Sequence, residues 1–322
     1  MSSNPLREII NGLGDVPIVL APQFEVNDLA FRMLVRKYNV KLCWTGMVNS
    51  HMWAIMPTSR NSYFQTCSQD RPLIIQMSGN DESELIACAK DLQQFAVGID
   101  INCGCTQHIA RRGQYGYFMV NNENKRKNVI EMVKNIVSSI NIPLSIKFRL
   151  IDGEDGKPDV DLTCKFAKEL EAAGVSLLSV HGRAKNSNKA GPVDAEAIRK
   201  IAESVSIPVM ANGGVRTKEE AIEMFKESHA AGVMVGQGLL MNPKAFSDTP
   251  EHDPVAISRE YLQLWKEYPD QNFFIARRHL FNFFDEIVRV NKAVGDKLKV
   301  CHTIEDLETF LTDYENGKYK LE

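Results

Sequence analysis

Short apolar segments recur along the first three-quarters of the chain, each rich in Val, Ile and Leu. They occupy residues 18–21, 42–45, 73–77, 99–102, 144–147, 177–181, 209–212 and 232–235. Most are too short to be buried helices, so they predict eight β-strands. Between most of them, apolar residues recur every three or four positions, which predicts amphipathic helices. These helices cover residues 27–38, 81–95, 124–140, 161–173, 194–205 and 217–228. The connection between the second and third segments is less regular and predicts a long loop.

The alternation of strand and helix predicts an α/β fold, a (β/α)8 or TIM barrel, with a doubly wound open sheet as the alternative. Polar residues at the ends of the predicted strands favour the barrel, because a barrel gathers all strand ends around one mouth. They are Gln23, Thr45, Gln76, Asn102, Lys147, His181 and Asn212.

The pattern changes after Pro243, where two prolines at 250 and 254 indicate a linker. Helical periodicity without strand-like runs follows over residues 255–268, 273–291 and 303–316. We therefore expect a barrel domain over residues 1–246 and a small all-α domain over residues 255–322.

Composition narrows the class of protein. The chain has 322 residues, of which 44% are hydrophobic and 25% charged, as in ordinary globular proteins. No apolar run is long enough to span a bilayer, and the first residues show no signal peptide, so no membrane partner is expected. The seven cysteines form no Cys-x-x-Cys pair, which predicts free thiols, a reducing compartment and no metal site.

Two glycine loops follow the last two predicted strands. Asn212, Gly213 and Gly214 follow the seventh strand, and Gly236 and Gln237 follow the eighth. In barrels these two loops often bind phosphate, because glycines let backbone N–H groups approach an anion. Together they predict a phosphorylated cofactor.

Three cationic side chains lie near neighbouring strand ends. Lys147 could hold electron-rich flavin atoms, form a Schiff base or simply reach solvent from the rim. A lone histidine such as His181 is more often structural than catalytic. The neighbouring Arg183, however, favours a contact with an anion.

The segment from Asp100 to Gly116 contains two cysteines and two adjacent arginines. A cysteine here could be a nucleophile, an acid or a small core residue, and for Cys103 we favour the core. Residues 108–127 hold five Arg or Lys against one Glu. This excess predicts either a polyanion contact or a solvated charged face.

Taken together, these motifs resemble those of the dihydrouridine synthases, flavin enzymes that reduce uridine in tRNA. Residues 109–116 and 261–280 look like the eukaryotic branch that modifies two neighbouring D-loop uridines. Thr106 departs from the family's Pro after the catalytic cysteine. The motifs that carry the resemblance are Ala21-Pro22, residues 70–76, residues 100–105, Lys147 with Arg149, His181-Gly182-Arg183 and Asn212-Gly213-Gly214.

The resemblance implies FMN as cofactor and NADPH or NADH as reductant. It also implies that Cys105 donates a proton to the uracil ring. Isoalloxazine contacts are expected from Pro22, Gln23, Phe24 and Gln76. Contacts with the pyrimidine edge and ribityl chain are expected from Lys147 and His181. Contacts with the phosphate end are expected from Asn212, Gly213, Gly214, Gly236 and Gln237. Contacts with tRNA are expected from Asn102, Arg111, Arg112 and Arg183.

The function expected from this resemblance is reduction of D-loop uridines 16/17 to 5,6-dihydrouridine in tRNA, by a cytoplasmic monomer, with the nucleus as the alternative location. Two other functions stay open. One is a flavin-barrel reductase of a small pyrimidine, and the other is a non-catalytic tRNA-binding module. The helical domain disfavours the first, and the retained Cys105, Lys147 and His181 disfavour the second.

Overall fold

A closed barrel of eight parallel strands forms the body of the molecule. The computed structural model describes residues 4–185, 191–270 and 272–319. The barrel closes where β9 pairs with β1 and β2 pairs directly with β4, so the predicted barrel is confirmed and the open sheet is excluded. A ninth short strand, β3, pairs only with the end of β4. The strands are β1 (Ile18–Leu20), β2 (Leu42–Trp44), β3 (Val48–Asn49), β4 (Leu73–Ser78), β5 (Gly98–Cys103), β6 (Leu144–Arg149), β7 (Leu177–His181), β8 (Val209–Asn212) and β9 (Gly232–Val235).

Helices surround this barrel, and the six predicted ones are all present. The long loop predicted after β2 instead contains β3, α3 and α4, segments too short to show a period in the sequence. The helices up to the linker are α1 (Pro5–Asn11), α2 (Leu29–Lys37), α3 (Ser50–Ile55), α4 (Arg60–Tyr63), α5 (Glu82–Leu92), α6 (His108–Gly113), α7 (Glu123–Ser139), α8 (Val160–Ala172), α9 (Ala195–Ser204), α10 (Lys218–Ser228) and α11 (Gln237–Met241).

Most of these helices begin at a polar side chain that accepts a hydrogen bond from a free backbone N–H, the usual N-cap. Asp28 does so for α2, Asp81 for α5 and Asn122 for α7. Thr217 and Glu220 form a reciprocal capping box at α10. The sequence therefore marks where the outer helices start.

The short helix α1 covers one end of the barrel. Its Leu6 and Ile10 are fully buried and pack in one cluster with inward-facing residues such as Val19 and Met210. Asn4, at its cap, donates to the backbone oxygen of Ser176, just before β7 begins. Because α1 blocks the N-terminal ends of the strands, only their carboxyl ends form an open mouth.

Among residues 254–270 and 272–319 the structure has five helices after the linker, where the sequence predicted three. The predicted helix over residues 273–291 is divided near Phe284, and a further helix lies in what was expected to be a connection. The five are α12 (Pro254–Glu267), α13 (Phe273–Phe283), α14 (Asp285–Val290), α15 (Lys292–Lys299) and α16 (Ile304–Glu315).

A buried polar cluster, which we call the joint, connects these helices to the barrel. His279 of α13 is fully buried, and its Nε2 lies 2.6 Å from Oδ1 of Asp28. Tyr261 of α12 donates to Oδ2 of the same carboxylate at 3.2 Å, and the Phe31 ring stacks on the His279 ring. Burial raises the pKa of Asp28, but His279, the Phe31 N–H and Arg32 outweigh it, so the pKa is lowered.

Candidate active site at the barrel mouth

Strand register brings the predicted polar residues together at the open end of the barrel. Asn102 is paired with Lys147 between β5 and β6. Arg149 is paired with His181, and His181 with Asn212, along the next two strands. These residues therefore form a continuous polar arc along the mouth.

The loop after β5 presents Cys105 at this mouth. Asn102 Oδ1 accepts hydrogen bonds from the backbone N–H groups of Gly104 (3.0 Å) and Cys105 (2.9 Å). Arg149 donates to the backbone oxygen of Gly104 at 2.9 Å. These contacts fix the backbone on which the half-exposed Cys105 thiol is carried.

Gly116 holds the same loop from its other side. Its φ is +65°, and a Cβ there would lie 2.7 Å from the carbonyl oxygen of Cys105. That oxygen instead accepts a hydrogen bond from the Tyr117 N–H at 3.0 Å. A side chain at position 116 would therefore be strained and would also displace Cys105.

Cys103, two residues before Cys105, lies in a different environment. It is fully buried in β5, and burial with the nearby Asp100 carboxyl raises the pKa of its thiol to about 12. The two cysteines therefore differ in access, since Cys103 is a core residue and Cys105 faces the mouth.

A buried hydrogen-bonded chain lies beneath the Cys105 loop. Gln76 donates to Asp100 at 2.6 Å and accepts from Asn102 at 2.9 Å, and Ser145 also donates to Asp100. Burial raises the pKa of Asp100 to about 6 in spite of these bonds and of Lys147 nearby. Asp100 belongs to the motif over residues 100–105, but the sequence assigned it no role, although a charged residue inside an apolar strand was the available signal.

Four basic side chains line the arc beyond Cys105: Lys147, Arg149, His181 and Arg183. Burial and the adjacent Arg149 lower the pKa of Lys147 to about 8. Burial and the three other cations lower the pKa of His181 to about 2, so its imidazole is neutral. Because Arg183 can only donate, His181 Nε2 accepts across their 3.3 Å contact. This arrangement suits an anionic or electron-rich ligand.

Glycines open the space beside these cations. Gly213 has a φ of +125°, and a Cβ there would lie 2.8 Å from Cδ2 of His181. Gly214 also has a positive φ, and Gly236 packs against the Gln23 side chain. Gln23 Oε1 is buried without a hydrogen-bond partner among the described residues. Cationic donors, glycine backbone and a free acceptor fit the phosphate, ribityl and ring N–H groups of FMN.

The remaining predicted cofactor residues occupy varied positions. Pro22 is half-buried and Phe24 exposed in the loop after β1, and Gln237 opens α11. Asn212 uses its side-chain amide to donate to the Met234 carbonyl. Gln76 is fully buried, with its amide nitrogen bonded to Asp100 and its amide oxygen bonded to Asn102. Its contact with a flavin stays a prediction.

The basic run over residues 108–127 is only partly available to a ligand. Lys125 donates to the Phe118 carbonyl, Arg126 donates to the Val120 carbonyl, and Lys127 pairs with Glu123. Arg111 and Arg112, on the exposed α6, make no side-chain bond to any residue in the described ranges. Of the five cations in this run, Arg111 and Arg112 are therefore the two without a side-chain bond within the described ranges.

Neither a membrane span nor a metal centre was found within the described ranges. None of the helices there is long and apolar enough to cross a membrane. No cluster of three His, Cys, Asp or Glu side chains among these residues could hold a metal ion.

Comparison with known proteins agrees with this arrangement. The model of the family "Dihydrouridine synthase (Dus)" matches residues 19–317, which include the barrel except Ile18 and all of the helices α12 to α16. This chain belongs to the dihydrouridine synthase family. The predicted resemblance to that family is therefore confirmed.

Individual relatives have names that differ in the tRNA position. A tRNA-dihydrouridine(16/17) synthase-like protein of Rattus norvegicus is 31% identical over 91% of this chain, which spans 65% of that protein's length. A tRNA-dihydrouridine(20a/20b) synthase-like protein of Mus musculus is 35% identical over 94% of this chain, which spans 90% of it. Both names include NAD(P)+.

A solved structure supports the fold alone. Morphinone reductase, crystallised in complex with tetrahydroNAD, aligns with a TM-score of 0.54 and 9% identity. The alignment covers 75% of this chain and 90% of that one.

Proposed function

We propose that this protein reduces uridine in tRNA to 5,6-dihydrouridine, using FMN and NAD(P)H. The observation that carries the proposal is the placement of Cys105 at the barrel mouth, beside the cationic arc and the glycine loops. Family membership supports the reaction class, and the names of the relatives support tRNA as substrate.

Each part of the mouth would have a separate task. When bound, FMN would accept a hydride from NAD(P)H and supply one to C6 of the uracil. Lys147 and neutral His181 would bind its pyrimidine edge and ribityl chain. Gly213, Gly214 and Gly236 would leave room for its phosphate end.

Cys105 would act as the general acid. Reduction of the uracil double bond adds a hydride at C6 and a proton at C5, and the thiol would deliver that proton. Asn102 would position the thiol through the two backbone N–H groups it holds. Because Cys105 is half-exposed, its thiolate could then regain a proton from solvent. The target uracil would have to leave the tRNA stack to reach it.

The modified position has two candidates. Residues 109–116 and 261–280 look like the branch that acts on uridines 16/17, which was our prediction. The mouse relative named for 20a/20b has the higher identity, and the chain spans more of its length. Mapping dihydrouridine by reverse-transcription stops after alkaline ring opening would distinguish the two pairs of sites.

The decisive experiment combines cofactor release with a product assay. We expect heat-denatured protein to release FMN, and we expect dihydrouridine in tRNA only when NADPH or NADH is added. A small-pyrimidine reductase would instead reduce free uridine or uracil comparably well. Protein that binds tRNA but holds no flavin after saturation with FMN would support the non-catalytic alternative.

We further propose that the protein acts as a monomer in the cytoplasm, with the nucleus as the alternative location.

A further inference from the structure

A second cavity lies beside the mouth, between the barrel and the C-terminal helices. It has a volume of about 470 Å³, within the range of small-molecule sites. Its walls come from the loop after β1, the segment between β2 and β4, and the start of α13. The lining residues used below are Phe24, Asn27, Arg32, Tyr63, Phe64 and Ile275.

Asn27 supplies a free hydrogen-bond acceptor in this wall. It is 4% exposed, and its amide nitrogen donates to the carbonyls of Ala21 (2.7 Å) and Trp44 (2.9 Å). These two bonds fix the orientation of the amide, so Oδ1 lies on the opposite side, where it has no partner among the described residues. Asn27 itself lines the cavity, whereas Ala21 and Trp44 do not. An unpaired buried acceptor costs free energy, and a ligand N–H or O–H that reached it would offset that cost.

The rim of the cavity is aromatic and the wall carries no available cation. Phe24 is 49% exposed and Tyr63 is 37% exposed, unusual for such large rings, and the half-buried Phe64 lines the same cavity. Arg32 is the only Lys or Arg among the described lining residues, and it is paired with buried Asp70 at 2.7 Å. The lining also includes Glu25 and Asp28. Flat rings with N–H donors are favoured, and phosphate groups are disfavoured.

We propose that this cavity binds a nucleobase of the substrate RNA next to the target uridine. Single-stranded bases are recognised by stacking on aromatic side chains and by hydrogen bonds to their edges. Phe24 belongs both to the mouth loop and to this wall, so neighbouring nucleotides could reach the two sites together. A nicotinamide dinucleotide is disfavoured, because Arg32, the one Lys or Arg among the described lining residues, is already paired with Asp70 and is not available to a pyrophosphate. The inference rests on the proposed function.

The test fills the cavity and compares the result with a matched surface change. Ile275→Trp places a large ring in the cavity wall, whereas Val290→Trp makes the same change on the exposed face of α14. The substrate is a tRNA transcript with 2-aminopurine at each nucleotide flanking the target uridine in turn. We expect fluorescence quenching at one flanking position with wild type and Val290→Trp, and its loss with Ile275→Trp.

Kinetics provide the second measurement. We expect Ile275→Trp to raise the KM for tRNA about tenfold, the loss expected for one stacked base. Tyr63→Leu, which removes the rim aromatic while keeping an apolar side chain, should shift KM in the same direction. Flavin reduction by NADPH should be unchanged in both variants.

Three outcomes would overturn the inference. Slower flavin reduction with an unchanged KM for tRNA would assign the cavity to the dinucleotide. Equal behaviour of Ile275→Trp and Val290→Trp would make it a structural void. Quenching at no flanking position with wild type would show that no neighbouring base enters it. If wild type quenches but forms no dihydrouridine, the proposed reaction fails and the base site stands.

Discussion

The mouth and the joint each contain a buried carboxylate, and the pKa values of the two are shifted in opposite directions. At the mouth, Asp100 lies within the chain of Gln76 and Asn102, and its pKa is raised to about 6. At the joint, Asp28 pairs with His279, and its pKa is lowered. A carboxyl whose charged form is disfavoured costs stability at neutral pH, whereas one whose charge is paired supplies it. The first region is therefore arranged for chemistry and the second for cohesion.

The largest expected effect separates the two regions by rate. Cys105→Ala should lower dihydrouridine formation about 10²–10⁴-fold, the usual contribution of a general acid. Flavin reduction by NADPH and the melting temperature should be nearly unchanged, because the thiol is half-exposed. Cys103→Ala is the matched control, which should lose some stability through a small core void but keep its rate. If Cys103→Ala abolishes uridine reduction and Cys105→Ala does not, the assignment of the acid is wrong.

The next effect separates the regions by stability. Asp28→Asn should destabilise the fold by about 3 kcal/mol, because it leaves His279 buried without its charged partner. Asparagine can still cap α2, so urea unfolding would report the loss of the buried carboxylate. Glu25→Gln breaks the exposed pair with Arg278 and should cost less than about 1 kcal/mol.

The pH dependence of the same variant sharpens this result. The Asp28 pKa is lowered from 3.8, so its stabilisation is present above pH 3.8 and declines as pH falls through the folded-state value. The gap between wild type and Asp28→Asn should therefore close in acid. A gap that is constant from pH 7 down to pH 3 would contradict a stabilising role for the Asp28 charge.

Lys147 tests the mouth by pH. Its pKa is lowered to about 8 in the free protein, so above pH 8 a proton must be taken up to restore the charge. If FMN binds the ammonium form, FMN affinity should fall about tenfold between pH 7 and pH 9. Lys147→Arg should bind FMN with a flat profile over this range. Equally steep profiles in both proteins would locate the titrating group elsewhere.

The smallest expected effect concerns the surface outside both regions. Replacing Arg111 and Arg112 together by Ala should weaken tRNA binding about threefold to tenfold and reduce its salt slope by one to two units. FMN binding should not change. Replacing Lys90 and Lys226 on the outer helices removes the same charge and serves as the control. Identical salt slopes for both double variants would assign the arginines to a solvated face.

The two regions also differ in how far the sequence could predict them. Asn102, Gly104 and Cys105 belong to one short segment, so a sequence motif was enough to predict that they share a site. Asp28 and His279 are separated by 251 positions, and although Asp28 is recognisable as a helix cap, no local pattern connects it with His279. Periodicity found the barrel and the six outer helices, because long amphipathic segments repeat. Periodicity missed α3, α4 and the division of the predicted helix near Phe284. The helices concerned are too short for apolar residues to recur every three or four positions.

Charge counting alone could not show which cations are available. The five cations of residues 108–127 form two groups in the sequence, and Lys125 and Arg126 in the second group turn back to donate to carbonyls of the preceding turn. Only the hydrogen bonds of the structure show that Arg111 and Arg112 are the cations without a side-chain partner within the described ranges. For the same reason the sequence could not find the acceptor of Asn27, which depends on two carbonyls from different strands.

The direct pairing of β2 with β4 has a consequence for how such proteins can diverge. Residues 50–69 leave the sheet after β3 and return to it at β4, so their length and composition can change without shifting the register of any other strand. This excursion carries Tyr63 and Phe64, which form part of the second cavity. This segment could therefore vary among related proteins while the catalytic barrel stays the same. Such variation would change which bases beside the target uridine are bound.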